Sequence, residues 1–374
     1  MEISATGRLE VRITPADVGK RVSVRRLTEL GGGAEKFTDT VGVLTSWDDG
    51  VLMITRRDGA GVRIAESAVV AGKVVPAAPA RRRGPAASYP ELARVTARGW
   101  PPVESERLGE WELRAAGGHT RRANSVLPLG DPGTPLDEAL GVVRRWYGER
   151  GLPAYVQAAT GAEGTQELLC AELERRGWVR EVTTEVWIGA LAPLADRAED
   201  AGPRAAARVM LSREADEAWL ALYRGGEVVE AAARHVLAGG PSVWFAQVPG
   251  AAGEAPDPAA PAGTAPDPAA PAGAAPFPAA PAGAAPAAIG RCVVDGRWAG
   301  FAAIEVDPVR RREGLATRVM AALAGRALEE GASAAWLQVE RDNEAARGLY
   351  AGLGFTRHHS YHHYRAPEPS GTGS

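Results

Sequence analysis

Between Arg310 and Thr317 the chain reads Arg-Arg-Arg-Glu-Gly-Leu-Ala-Thr, and no other stretch has residue types so suited to holding a phosphate. An apolar run, Trp298–Val306, ends just before it. A helical pattern with Val319, Leu323 and Leu328 among its apolar positions begins just after it and ends at Gly331. The first turn of a helix carries unpaired backbone N–H groups and the positive end of the helix dipole, so a glycine-containing turn feeding a helix suits an anion. Gly314 and the small Ala316 let the backbone approach a pyrophosphate closely, while Arg310, Arg311 and Arg312 add positive charge. Glu313 sets a carboxylate beside this loop and is expected to point to solvent. A second cluster is His358, His359, His362 and His363. Imidazole is a common metal ligand, but strand alternation splits such doublets over two faces, and no carboxylate cluster accompanies them. They are expected to be strand residues near a cleft that Tyr361 and Tyr364 help to line, and no metal site is expected.

The elements that must position the loop follow from periodicity. Ile289–Val294 reads as a strand, Asp295-Gly296 as a turn and Trp298–Val306 as a second strand. Beyond the helix, Ala335–Glu340 reads as a strand, Asn343–Leu353 as a helix stopped by Gly354, and Phe355–Arg365 as final strands. The strand Ile304-Glu305-Val306, the R-x-x-G-x-A loop, the N-E-A-A-x-x-x-Y segment at Asn343–Tyr350 and the pair Gly354-Phe355 stand in the order and spacing of the GNAT N-acetyltransferase superfamily, which residues 205–365 resemble. The resemblance implies an α+β fold with a mixed central sheet and flanking helices. It implies acetyl-CoA as the acyl donor, with Ile304, Glu305 and Val306 pairing through their backbone with its pantetheine arm. Arg311, Arg312, Gly314, Leu315, Ala316 and Thr317 would cradle its pyrophosphate, and Asn343 would contact it. The resemblance makes Tyr350 the proton donor to the departing thiolate. For the base that accepts the amine proton, Glu305 is the nearest carboxylate, although its side chain could face either side of the sheet; Glu340 and a water-mediated route compete with it.

The stretch 122–188 looks like a worn copy of this half. Leu173-Glu174-Arg175-Arg176-Gly177-Trp178 parallels Tyr350-Ala351-Gly352-Leu353-Gly354-Phe355, with Leu173 where the later copy has Tyr350. Its loop, Gly130-Asp131-Pro132-Gly133-Thr134, has no arginine-glycine signature, so residues 89–195 are expected to form a degenerate GNAT-like half that binds no cofactor. Thr134 is expected to cap a helix whose first residue is Pro135, and Gln166–Arg176 reads as a helix stopped by Gly177. Arg121, Arg122, Asn124 and Ser125 could border the acceptor cleft. In front lie short alternating strands from Leu9–Ile13 to Ala68–Val70. Asp48-Asp49-Gly50 forms a hairpin turn between two of them, so residues 1–76 read as a small all-β SH3-like barrel, followed by a basic linker at 77–88. The whole resembles an actinobacterial, histone acetyltransferase-like GNAT type with such a front domain and tandem GNAT-like halves.

From Ala255 to Ala284 a ten-residue Ala/Pro/Gly motif runs three times (APDPAAPAGT, APDPAAPAGA, APFPAAPAGA). It lacks apolar residues large enough to stack into a solenoid, so 250–287 is expected to be a disordered insertion at a hairpin tip, as is a tail at 366–374. The 374 residues, 45% hydrophobic and 24% charged, suit a soluble chain of two or three domains. A net charge of −3 argues against bulk binding to nucleic acid. No apolar run reaches a membrane span, and the N-terminus lacks a secretory pattern. Cys170 and Cys292 stand far apart, which fits a reducing cytoplasm. The expected activity is acetyl transfer from a CoA thioester to an amine acceptor, with the barrel as a protein-contact module and the oligomeric state left open. The rival expectation is a GNAT fold that senses acyl-CoA, or scaffolds a partner, without turnover.

Overall fold

The computed structural model describes residues 11–28, 36–75, 85–198, 209–226, 228–250 and 285–368. The expected strand at Leu9–Ile13 falls partly outside these residues, as do most of the linker, the Ala/Pro/Gly repeat and the end of the tail. The front unit is a five-stranded antiparallel sheet of β1 (Arg21–Thr28), β2 (Lys36–Asp48), β3 (Val51–Arg56), β4 (Gly61–Ala65) and β5 (Val69–Val74), in the order β4-β3-β2-β1-β5. A bulge between Leu44 and Ser46 bends the long β2, so that one sheet curls around Val22, Val24, Leu44, Leu52, Ile54 and Ile64. Asp49 and Gly50 both take positive φ, 49° and 72°, as a two-residue hairpin turn requires.

The rest of the chain is α1 (Tyr89–Arg98), β6 (Glu104–Leu108), β7 (Trp111–Ala115), β8 (Leu127–Pro128), α2 (Leu136–Gly148), β9 (Tyr155–Thr160), α3 (Glu167–Arg175), β10 (Val179–Ala190) and α4 (Ala192–Ala195). It continues as β11 (Met210–Ser212), α5 (Glu217–Leu222), α6 (Ala231–Ala238), β12 (Ser242–Val248), β13 (Ala288–Asp295), β14 (Trp298–Val306), α7 (Leu315–Glu329), β15 (Ala334–Glu340), α8 (Glu344–Gly352) and β16 (Thr356–Arg365). Eight strands make one sheet in the order β11-β12-β13-β14-β15-β10-β16-β9, mixed because β14 and β15 run parallel while the other pairs are antiparallel. Strand β10, from the earlier half, thus lies between β15 and β16 of the later one. The two stretches, read as separate along the chain, share one sheet. A smaller sheet, β6-β7-β8, leans on it through a bridge from Val126 to Val156.

One face of the large sheet packs on α4 and α7 through Leu194, Val319, Met320, Leu323 and Phe355. The other packs on α1, α5 and α6 through Leu92, Trp219, Val236, Trp298 and Trp336. Gly290 makes the first contact possible, since a Cβ there would stand 2.4 Å from Val319 Cγ1. The fully buried Arg291 ties the second together. Its guanidinium donates to the carbonyls of Leu237 (2.6 Å), Gly239 (2.6 Å) and Gly99 (3.0 Å), closing the C-terminal ends of α6 and α1 onto β13.

Several local expectations change in space. Pro135, not Thr134, is the cap residue of α2, and the Thr134 hydroxyl donates to Glu138 instead (2.7 Å). Residues 356–365 form one strand rather than several. The strands flanking the repeat pair directly, with the Ala287 N–H donating to the Val248 carbonyl at 2.8 Å. Among the described residues no helix is long and apolar enough to cross a membrane.

The barrel is docked, not trailing. Its β3–β4 turn reaches the sheet near β9, β10 and β16. There Arg57 donates to the carbonyls of Gly161 (3.1 Å), His358 (3.3 Å) and Arg357 (3.4 Å), while the Gly59 carbonyl accepts from Arg180 (2.7 Å). Arg341, just past β15, donates to the Asp58 carbonyl.

Candidate active site

The large sheet is split in its middle. β14 and β15 pair in parallel only from Trp298/Ala334 to Phe301/Leu337, yet β14 runs on to Val306 and β15 to Glu340. Beyond Phe301 the two strands part, so Ala302–Val306 and Gln338–Glu340 face one another with no ladder between them. A bulge on the β13 side drives the parting: Ile289 pairs with Glu305 but Arg291 pairs with Ala302, and Ala303 takes the left-handed φ of 49°. A non-glycine residue in that region is uncommon and here re-aims the strand at the mouth of the cleft.

Just past the splay, Asp307 caps the short turn Pro308–Arg310, and the chain swings through Arg312 (φ 72°) and Gly314 (φ 76°) into α7. Gly314 is the helix cap residue, and no side chain caps the first turn. The N–H groups opening at Leu315, Ala316 and Thr317 are therefore presented to whatever lies in front of them. A Cβ on Gly314 would meet nothing within 4 Å, so its glycine serves the left-handed turn rather than space. Glu313, beside this loop, is held by Arg310 through two bonds of 2.7 Å, which also hold its carboxyl below the usual range. Arg310 is thereby committed to Glu313, leaving Arg311 and Arg312 as the exposed cations of the loop.

The two candidate catalytic groups stand on opposite faces of the sheet. Ile304 and Val306 pack on the α7 side; Glu305 therefore faces the α5 side, where its Oε2 accepts the Arg224 N–H at 3.0 Å. Tyr350, on α8, packs on the α7 side with its ring edge-on to Phe355 at 6.3 Å. Burial pushes its phenol up to about 12, so it holds its proton throughout the physiological range. Asn343 is the cap residue of α8, its Oδ1 accepting the Ala346 N–H at 3.0 Å. Only its amide nitrogen is left to meet a ligand.

Several residues escaped the sequence reading. Tyr223 stacks on Trp219 (5.4 Å, 25°) and, with Arg224 at φ 50°, forms the turn that meets Glu305. Arg122 reaches across from the earlier half to Gln338 of β15 (3.1 Å), a partner that had no signal in the chain. Asn124 and Ser125 do not border the cleft as ligands. Asn124 pins its own loop, and Ser125 binds the buried Arg114 (3.0 Å). The histidines do lie on one strand, β16, with Tyr361 and His363 on the cleft face; Tyr364, expected beside them, is instead on the opposite face, bonded to Glu174 at 2.9 Å. Among the described residues no group of three or more His, Cys, Asp or Glu is placed to hold a metal.

The corresponding cleft of the earlier half, between β8 and β9, is already bridged from within. The Gln166 side chain accepts from the Ala159 N–H (2.9 Å) and the Tyr89 hydroxyl (2.8 Å) and donates to the Pro128 carbonyl. Gln166 thus occupies one strand-edge donor and one acceptor beside a cavity of about 390 Å³ lined by Tyr89, Pro128, Gly130, Gln166 and Leu169, and Leu173 is buried in the core where the later half has Tyr350.

The family model of the C-terminal region of the probable histone acetyltransferase Rv0428c matches residues 87–364, and that of its N-terminal Sm-like domain matches 16–73. The chain belongs to this Rv0428c family. The probable histone acetyltransferase Rv0428c of Mycobacterium tuberculosis is 30% identical over 167 residues, which cover 45% of this chain and 53% of that protein. The match therefore spans about half the length of that curated relative. In fold the chain is similar to a GCN5-related N-acetyltransferase from Kribbella flavida, at 15% identity and a TM-score of 0.51, over 75% of this chain and 96% of that one. The Rv0428c family assignment thus sits on a GNAT fold with an antiparallel, barrel-like front domain. The splay and the α7 loop both lie within the part matched by the C-terminal family model.

Proposed function

We propose that this Rv0428c-family chain transfers the acetyl group of acetyl-CoA directly to a primary amine. The observation that carries the reading is the parting of β14 and β15 beyond Phe301, beside a helix opened by a left-handed glycine. Unpaired strand edges suit the amides of a pantetheine arm, and an uncapped first turn suits a diphosphate. The backbone of Ile304, Glu305 and Val306 would hold the arm. Arg311, Arg312, Gly314, Leu315, Ala316 and Thr317 would hold the pyrophosphate, and Asn343 would contribute its amide. When bound, the thioester supplies an activated acyl carbonyl.

The chain's own residues then order the transfer. The splay fixes the acyl group at the α5 face, where the amine enters, so that a bimolecular attack becomes a positioned one. Glu305, facing that side, accepts the amine proton directly or through a water; Glu340, at the end of β15, is the competing carboxylate. Tyr350, protonated by virtue of its burial, gives its proton to the departing sulfur. Cys170 and Cys292 are both buried and free, which fits a reducing cytoplasm.

Calorimetry with CoA and a thiol-release assay over a panel of amines test the reading. Native protein is expected to take up CoA and release thiol with at least one amine, whereas Gly314→Asp, which adds a like charge at the diphosphate, weakens uptake at least tenfold. Native protein that takes up no CoA removes the proposal.

A further inference from the structure

On the face that carries Glu305, β15 ends beside a small cavity between the two halves. It is lined by Thr120, Arg121 and Arg122 of the earlier half, Thr184 of β10, Glu340 of β15, and Tyr361 and His363 of β16. Its volume is about 20 Å³, room for roughly one water-sized, oxygen-bearing group. Two features mark it as built. His363 is 2% exposed and neither of its ring nitrogens has a hydrogen-bond partner, a costly state for a buried polar ring unless something else supplies one. Thr120, a β-branched residue, holds a left-handed φ of 57°. That strain is kept by Asn124, whose side chain binds the N–H groups of Ala116 (2.8 Å) and Gly118 (3.0 Å) and the carbonyls of His119 and Thr120 (both 2.8 Å).

The pinned loop presents two guanidinium groups. Arg122 touches neutral partners, the Gln338 amide (3.1 Å) and the Trp100 ring (5.0 Å). Arg121 spans Glu181 (3.3 Å) and the Tyr155 ring (5.5 Å). With burial and these arginines around it, His363 stays neutral and so offers one N–H donor in either tautomer. We propose that the cavity takes a carboxylate of the acceptor, which makes the acceptor a small amine bearing its own carboxylate rather than a lysine within a basic peptide. A planar carboxylate can place one oxygen in so small a space among an imidazole, two threonines and an arginine fork. Glu340, in the same lining, would oppose the ammonium of that zwitterion while the two arginines take its carboxylate. Lysines or arginines flanking a peptide lysine would meet Arg121 and Arg122 as like charges.

This inference rests on the acyl-transfer reading, and its test separates the two. Thiol release from acetyl-CoA is measured with lysine, lysinamide and cadaverine, with glycine, glycinamide and methylamine, and with a basic lysine peptide. A carboxylate-bearing amine is expected to exceed its amide and its decarboxylated partner at least tenfold in kcat/KM. In Arg122→Met that preference falls toward parity while CoA uptake by calorimetry is unchanged. Parity across each matched set in native protein, or preference for the basic peptide, overturns the carboxylate site and leaves acyl transfer standing. Native protein that takes up no CoA and releases no thiol overturns both. The native preference decides the matter even should Arg122→Met fail to fold.

Discussion

Single residues divide the labour of the site by the face they occupy. Tyr350 and Glu305 never meet, because alternation along β14 sends Glu305 to the α5 side while α8 holds Tyr350 on the α7 side. A carboxylate on one face and a protonated phenol on the other suit a transfer in which the amine adds to the thioester carbonyl from the α5 side, giving up its proton there, and the thiol leaves toward the α7 side. Tyr350→Phe removes only the hydroxyl, so it is expected to lower kcat by about tenfold to a thousandfold. CoA affinity by calorimetry should stay within about twofold of native. Unaltered kcat would exclude Tyr350 as the donor.

At the scale of elements, β16 is the most loaded strand. His362 is fully buried between the Thr160 hydroxyl (3.0 Å) and the Thr183 hydroxyl (2.9 Å), and burial, with Arg180 and Arg341 nearby, lowers its pKa to about 3. His358, His359 and His363 on the same strand are shifted down as well, each chiefly by burial. Between pH 6.5 and 3 the unfolded chain therefore binds protons at His362 that the native strand refuses, so stability falls as pH falls through that window. For His362 alone the slope approaches about 1.4 kcal/mol per pH unit. Urea midpoints are expected to drop steeply from pH 7 to pH 5, and His362→Gln should flatten that slope while lowering the midpoint at pH 7. The β3–β4 turn adds a second element-level dependence. Gly59 holds φ 80°, and a Cβ there would stand 2.6 Å from the His362 ring, which two threonines fix in place. Gly59→Val should cost about 2–3 kcal/mol in urea unfolding through left-handed strain and loss of the docked barrel. A change below ~0.5 kcal/mol would mean that the docking contributes nothing.

Across the whole molecule, the interleaving of β10 between β15 and β16 makes the two halves one folding unit. A fragment holding only residues 205–368 lacks β9 and β10, which opens one edge of Ala334–Glu340 and both edges of Thr356–Arg365. It is expected to be insoluble or to bind no CoA, and co-expression with residues 85–198 should restore both. Recovery of a soluble, CoA-binding 205–368 fragment would contradict this. Because Gln166 already bridges the strands of the earlier half, CoA stoichiometry in the full chain is expected to be one.

The local grammar of the site was readable from the chain alone. The bounds of β14 at Trp298–Val306 follow from apolar patterning closed by Asp307-Pro308. A glycine-containing turn into α7 and a helix beginning at Asn343 follow likewise, since each depends on a few neighbouring residues, whereas the left-handed φ of Gly314 is seen only in the fold. Nothing local says that β14 and β15 part after Phe301, that Ala303 is left-handed, or that Glu305 faces α5, because those outcomes depend on register across strands far apart in sequence. The same holds for Gln166, Gln338 and Thr120. Their types are ordinary, and what they do is set by the strand edge, the arginine or the cavity that the folded sheet places beside them.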